Sequence, residues 1–218
     1  MRFVQQKREL RSSFRQRADL FQAHNSAFQV ERLNENLISF LKSQVVKQDM
    51  KPKAHQISGQ ITWAAFKASG HEPRLEKVIQ SCPHIRWVYP KMVDHHLVFI
   101  ASQKFETGAW GIDEPVGGDL VKPEDVQGFL IPGVAFDRQG GRLGRGKGFY
   151  DRALAGSRGL HIGVGFSFQI YEGTLPTESF DIKMDGIISE QGLWAVNSKT
   201  GAMAPRSGFS PVGRLERA

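Results

Sequence analysis

The segment that most constrains the fold runs from Gly128 to Phe166. It holds two short apolar runs, Gly128-Phe129-Leu130-Ile131-Pro132-Gly133 and His161-Ile162-Gly163-Val164-Gly165-Phe166, separated by a glycine-rich loop and a stretch of helical character at Tyr150 to Ala155. Apolar runs of this length, bounded by Gly and Pro, read as strands buried on both faces. Such strands alternating with helices argue for an α/β layered sheet, in which ligands sit at the C-terminal ends of the strands. The loop from Phe136 to Asp151 falls in that place. Between Gly140 and Gly148 it has little side-chain bulk besides the cations Arg142, Arg145 and Lys147. Glycines at 144, 146 and 148 let the backbone bend and bring its N–H groups close to a ligand, and the interleaved cations supply charge. That combination suits a polyphosphate.

The flanking sequence supports a layered domain. Phe3, Leu10, Phe14 and Phe21 recur at helical spacing over residues 2 to 22, with Lys7 inside that apolar face and Arg11 at its edge. Such stems can lie along apolar surface with their heads in water, or the two cations can point together at what the helix covers. A second helix is expected after Asn25 or Ser26 as cap, running to about Lys42 with Phe28, Leu33, Leu37, Phe40 and Leu41 buried. Ser43 to Gly59 reads as a loop. Ile61 to Phe66 reads as a strand, with the Ala64-Ala65 pair leaving helix open. Pro73 opens a helix to about Ser81, placing Glu72 just ahead of a helix start, where an acid either favours the dipole or binds a polar ring edge. Ile85 to Tyr89 and Leu97 to Ala101 are expected strands, and Gln103 to Val116 an irregular segment in which Trp110 is a core plug or a flat wall for a ring. Pro123 to Val126 suits a turn of helix, and Gly186 to Ser189 a last strand. The expected organisation is one domain over residues 1–196 with a flexible tail at 197–218.

Charge narrows the function. The net charge is +7 and the pI about 9.7, which could signal nucleic acid, an anionic membrane or an anionic small molecule. Residues 1–17 carry six cations against Glu9, a local +5, and residues 138–147 carry Arg138, Arg142, Arg145 and Lys147, a local +4. Together these exceed the whole, so the remainder is slightly acidic. The single cysteine, Cys82, excludes an internal disulfide and a multi-cysteine zinc site. No run approaches the ~18 apolar residues of a membrane span, and the start has no apolar stretch after its cations. A soluble, cytoplasmic protein is expected.

Gly141 to Lys147 matches the front of a P-loop, G-x-x-x-x-G-K, but Gly148 stands where a P-loop needs a hydroxyl to hold Mg²⁺. G-x-G-x-x-G fails too, because Phe149 falls three residues after Gly146. A phosphate site here must draw metal carboxylates from elsewhere, and Asp151 is the nearest. Nucleotide phosphates, a single-stranded nucleic acid and a purely structural turn all remain open on these residues alone.

Ile131-Pro-Gly-Val-Ala-Phe-Asp137 followed by Gly141-Arg-Leu-Gly-Arg-Gly-Lys-Gly-Phe-Tyr-Asp151 resembles the signature of 5-formyltetrahydrofolate cyclo-ligases, also called 5,10-methenyltetrahydrofolate synthetases. Lys7-x-x-Leu10-Arg11, Glu72, Trp110-Gly111-Ile112 with Glu114-Pro115, and Phe180-Asp181 follow in family order, so the resemblance covers roughly residues 5 to 190. It implies a three-layer α/β/α sandwich with a mostly parallel central sheet. It also implies ATP- and Mg²⁺-dependent conversion of 5-formyltetrahydrofolate to 5,10-methenyltetrahydrofolate, ADP and phosphate. On that resemblance Lys7, Arg11, Arg142, Leu143, Gly144, Arg145, Gly146, Lys147, Gly148 and Tyr150 bind ATP, with Arg145 and Lys147 catalytic. Glu72, Trp110, Arg145 and Phe149 line the folate, and Asp151 and Asp181 hold the metal, Asp185 being the alternative to Asp181. Phe149 stands where the family often has Tyr. His95, His96 and His161 read as structural. The partners implied are small molecules, without nucleic acid or membrane. The competing reading keeps the fold but makes the protein a non-catalytic binder of RNA or nucleotide through its basic helix and Gly/Arg loop.

Overall fold

The computed structural model describes residues 2–24, 27–49, 61–108, 111–196 and 203–205. Two long helices come first, α1 (Arg2–His24) and α2 (Ala27–Asp49). The expected cap at Asn25 or Ser26 lies outside the described residues, as do residues 50–60. Residues 43–49, expected as loop, instead continue α2. Neither Gly nor Pro interrupts them, and Val45 packs on the core. Phe28 is 63% exposed rather than buried, its ring under the Arg32 guanidinium, and Phe3 in the first turn of α1 is 57% exposed.

β1 (Ile61–Ala64) is a strand buried throughout, and α3 (Glu76–Ser81) starts three residues later than Pro73. β2 (Ile85–Val93) and β3 (His96–Ala101) join in a hairpin whose turn residues Asp94 and His95 both have positive φ, 45° and 64°, the twist that two-residue hairpin turns require. The segment expected to be irregular contains a small hairpin, β4 (Phe105–Thr107) with β5 (Asp113–Pro115), followed by β6 (Asp119–Val121) and a 3₁₀ turn at Pro123–Asp125. Then come β7 (Gly128–Pro132), β8 (Ala135–Asp137), β9 (Arg142–Leu143), α4 (Phe149–Ala153), β10 (Leu160–Val164), β11 (Ile170–Tyr171) and β12 (Gly186–Ser189). β12 is not the last strand. The chain reverses at Gly192, φ 129°, into β13 (Gly192–Val196), and β14 (Met203–Pro205) pairs with β13 in turn. The rest of the expected tail lies outside the described residues.

Among the described residues the main sheet has nine strands in the order β14-β13-β12-β10-β7-β1-β2-β3-β6. The five from β12 to β2 are mutually parallel, and the strands beyond them at both ends pair antiparallel. One face is covered by α2 and α3, whose Leu33, Leu37, Phe40, Leu75 and Val78 meet Ile61, Trp63, Leu130 and Ile162. The other face packs Phe129, Ile131 and Ile187 against Leu154 and Tyr150 around α4, and against Phe136 of a small sheet ordered β11-β8-β9. These are the three layers. α1 lies on the small sheet through Leu10 and Phe14, against Ala135, Leu143 and Leu175. Each of the Leu and Phe side chains contributes about 1.5–3 kcal/mol on full burial.

This topology places the site. From β1 the chain moves to β2 on one side, whereas from β7 it moves to β10 and β12 on the other. The crevice between the C-terminal ends of β1 and β7 is therefore the switch point where open α/β sheets bind ligands.

Candidate active site

A cleft of about 510 Å³ opens at that switch point. Phe66 and Lys67 follow β1 into it, and Pro132 and Gly133 end β7 there. One wall is the glycine loop from Arg142 to Asp151, joined by Lys7 and Arg11 of α1 and by Glu178 and Asp181. The facing wall is mainly apolar: Pro90, Met92 and Leu97 of the β2–β3 hairpin, and Ile112 beside β5. A second, smaller depression of about 230 Å³ lies around Arg138, Phe168 and Trp194, none of which lines the cleft.

α1 meets the loop directly. The Arg11 Nε–H donates to the Gly144 carbonyl at 2.8 Å, across 133 residues of chain. Gly146 has φ +98°, and a Cβ there would come within 3.3 Å of the Arg11 guanidinium carbon. Gly148 caps α4 at φ +64°, with a Cβ position 2.9 Å from Arg152 Nη1. Both positions therefore combine a left-handed backbone with a close cation, and both favour glycine. Lys7 donates to Glu178 Oε2 at 2.9 Å and Asp181 Oδ2 at 2.8 Å. Burial alone would lower its pKa, but the two carboxylates outweigh burial and raise it, so the ammonium keeps its charge. Lys7 and Arg11 thus turn into the cleft, rather than resting along apolar surface with their heads in water.

Arg142 is almost entirely enclosed, its side chain 5% exposed. Nη2 donates to Asp151 Oδ1 at 3.0 Å and Nη1 to the Pro132 carbonyl at 3.3 Å, while Nε is buried without a partner. Asp151 Oδ1 also accepts from the Ile182 N–H at 3.3 Å, which brings Asp151 next to the Asp181 segment. Both acids line the cleft. Asp185 does not: its Oδ2 accepts from the His161 N–H at 2.8 Å, at the start of β10 and away from the cleft. Among the described residues no three His, Cys, Asp or Glu side chains cluster as a metal site. His161 is satisfied structurally, Nδ1–H donating to the Lys183 carbonyl at 3.2 Å and Nε2 accepting from the Ser157 hydroxyl at 2.7 Å.

Arg145 crosses the cleft mouth. Its Nη2 donates to Glu72 Oε1 and to the Ser69 carbonyl, each at 2.8 Å, and Nη1 to Ser69 Oγ at 3.2 Å. Glu72 Oε2 accepts from the Ser69 N–H at 2.9 Å. Burial raises the Glu72 pKa against the opposing effect of Arg145 and the Ser69 N–H. Tyr150, half-buried against the sheet with Arg142 over its ring, has its phenol pKa raised by burial and then by the Glu72 charge. Phe149 lines the cleft with the Arg152 guanidinium 5.4 Å from its ring centre. Leu143 is buried and anchors the loop to α1. Lys147 lines the cleft, and no carboxylate of the described residues pairs with it. Trp110 lies outside the described residues.

Two residues carry more than sequence reasoning gave them. Asp137, read only as part of the loop signature, is fully buried and accepts from Gln139, Gly141 and Leu175 N–H groups at 2.7–2.8 Å. It ties the base of the loop to the segment that leads to Asp181. Lys67 had no role assigned, yet it lines the cleft opposite the loop. Its one signal in the sequence is a cation placed directly behind the buried run Ile61 to Phe66.

These features define an α/β protein with a switch-point cleft, cationic on one wall and apolar on the other. The model of the 5-formyltetrahydrofolate cyclo-ligase family matches residues 4–190, and the chain belongs to that family. Among curated relatives, the 5-formyltetrahydrofolate cyclo-ligase of Mycoplasma pneumoniae is 30% identical over 108 residues, covering 49% of this chain and 57% of the relative. That of Escherichia coli K12 is 37% identical over 79 residues, covering 35% and 43%. The chain spans about half the length of the curated relatives it matches. The NMR structure of Aquifex aeolicus 5,10-methenyltetrahydrofolate synthetase matches with a TM-score of 0.67 and 32% identity, over 86% of this chain and 91% of that one. The Mycoplasma pneumoniae synthetase, at 24% identity and a TM-score of 0.63 over 84% and 98%, shares the fold. No helix among the described residues is long and apolar enough to cross a membrane.

Proposed function

We propose that this protein is a cytoplasmic ATP- and Mg²⁺-dependent 5-formyltetrahydrofolate cyclo-ligase, releasing 5,10-methenyltetrahydrofolate, ADP and phosphate. One observation carries the reading. Lys7, Arg11, the Arg142 to Lys147 loop, Glu72 and Asp181, scattered over 175 residues of sequence, share a single cleft that also has an apolar wall. A polyphosphate fits the cationic wall and a ring system the other.

An N-formyl amide oxygen is a poor leaving group. In the proposed reaction it attacks the γ-phosphorus of ATP, breaking the bond to ADP and giving an imidate phosphate. N10 then adds to the activated carbon and gives up its proton to the departing phosphate, which leaves with the former formyl oxygen as the methenyl bridge closes. Phosphoryl transfer needs positioning and charge neutralisation more than a protein nucleophile. Arg145, Lys147 and the loop N–H groups would meet the transferring phosphoryl oxygens, with Lys7 and Arg11 on the polyphosphate. Glu72 and Phe149 would bind the folate ring by its edge and face, with Trp110 assigned alongside them. Arg145 makes three hydrogen bonds to Ser69 and Glu72 and keeps further N–H donors for phosphate. Asp151 and Asp181 suit Mg²⁺, which takes one or two carboxylates and completes its shell with water and phosphate oxygens rather than an all-protein cage. When bound, the ion would neutralise charge on the phosphates.

Incubation with 5-formyltetrahydrofolate and MgATP should give the methenyl chromophore and ADP in equal amounts. No product at high enzyme concentration would reject the proposal. The alternative, a non-catalytic binder of RNA or nucleotide through the basic helix and the Gly/Arg loop, is not favoured by the family to which the chain belongs.

A further inference from the structure

Among the described residues, six cationic side chains line the cleft. Lys7, Arg11, Arg142, Arg145 and Lys147 belong to the first helix and the glycine loop, and Lys67 alone stands on the facing wall. Its ammonium sits 4.1 Å from the ring centre of Phe105 and 5.6 Å from that of Tyr89. The two rings meet edge to face at 4.8 Å and together form the seat. Aromatic faces hold an ammonium in place without neutralising its charge. No carboxylate of the described residues pairs with Lys67, although Asp113 and Glu114 line the same wall. Asp113 is instead engaged with the Thr107 hydroxyl at 3.3 Å. A positioned, unpaired cation in a mainly apolar wall is a counter-charge for a ligand anion.

The proposed reaction brings two anions to the cleft. The polyphosphate of ATP has the loop and first helix as its partners. The other anion is the glutamate of 5-formyltetrahydrofolate, at the far end of the molecule from the reacting N5 and N10. We infer that Lys67 binds a carboxylate of that glutamate and is a specificity-determining residue for the folate substrate. The inference rests on the cyclo-ligase reading. The aryl spacer of the folate then lies along Met92, Leu97 and Ile112, which line the same cleft.

The test compares wild type, Lys67→Met and Lys67→Arg on two substrates, 5-formyltetrahydrofolate and the neutral carboxamide of 5-formyltetrahydropteroate, which lacks the glutamate and carries no carboxylate. Methionine keeps the stem against Phe105 and removes only the charge. Loss of one charge-assisted contact should raise the KM for 5-formyltetrahydrofolate about 10-fold in Lys67→Met. The KM for the pteroate analogue should be the same in that variant as in wild type, the KM for ATP should keep its wild-type value, and Lys67→Arg should recover most of the preference. An equal rise for both substrates would make Lys67 a packing residue, and a rise in the KM for ATP would make it a polyphosphate ligand. Either result, or no change at all, overturns the inference while leaving the cyclo-ligase reading intact. A wild-type protein inactive on 5-formyltetrahydrofolate overturns that reading, and the inference with it.

Discussion

Asp137→Asn is the sharpest probe of how the glycine loop is held. In the native protein Oδ1 accepts from the Gln139 N–H at 2.8 Å and the Gly141 N–H at 2.7 Å, and Oδ2 accepts from the Leu175 N–H at 2.7 Å. The carboxylate is fully buried, as are Gly141 and Leu175. Asparagine has the same shape but only one acceptor oxygen. With that oxygen toward Gly141, its NH₂ confronts the Leu175 N–H, and the reverse orientation sets NH₂ against two donors. The orphaned buried donor costs about 1–3 kcal/mol. Loss of charge assistance in the two surviving bonds adds about 1 kcal/mol. The sum, about 2–4 kcal/mol, corresponds to a fall in Tm of roughly 5–15 °C for a domain of this size. Thermal and urea unfolding of the ligand-free protein, followed by far-UV circular dichroism, measures it. A Tm within about 2 °C of wild type would refute the claim that this buried carboxylate fixes the loop.

Three further outcomes are expected. Gly148→Ala forces a Cβ into a left-handed position 2.9 Å from Arg152 Nη1, so stability should fall by about 1–2 kcal/mol and turnover should fall with it; unchanged unfolding and activity would show that the loop tolerates another backbone. Arg145→Ala and Lys147→Ala should each lower turnover by ~10²-fold or more, as loss of a positioned charge stabiliser does, and unchanged kcat would remove that residue from the chemistry. Glu72 has a folded pKa raised above its ordinary 4.5, so the folded state holds this proton more tightly than the unfolded chain does. As pH rises from 4.5 through the folded pKa, the unfolded chain therefore binds fewer protons and stability declines, levelling off above that window. Glu72→Gln should flatten this part of the profile, which urea midpoints measured from about pH 4 to 7 would reveal; an unchanged slope would assign it to other groups.

What could be read in the sequence was set by length and burial. The runs Gly128 to Pro132 and His161 to Phe166 announced central strands because both faces of each are covered. Strands β8, β9 and β11 have only two or three residues, too few for any periodicity, and their partners lie across a loop or more than thirty residues away. The β2–β3 turn was hidden because Asp94 and His95 adopt positive φ without glycine. Phe28 misled because a helical wheel records which face is apolar and not how far the neighbouring layer extends. In the cleft, the glycine loop and its companions from Lys7 to Asp181 could be named in advance, and the structure brings the described ones together. Their pairing could not be foreseen: Arg142 with Asp151, Lys7 with Asp181 and Arg145 with Glu72 are contacts made only by the folded topology. Lys67 had no motif around it, and only the aromatic seat on Phe105 and Tyr89 marks it out.

In the proposed reaction the formyl oxygen of the folate accepts the γ-phosphoryl group in this cleft. 5-Formyltetrahydrofolate labelled with ¹⁸O in the formyl group is supplied together with MgATP, and the released phosphate is weighed by mass spectrometry. One ¹⁸O atom should appear in the phosphate for each methenyl product formed. Methenyl product with unlabelled phosphate, the ¹⁸O emerging in water, would rule out phosphoryl transfer to the formyl oxygen.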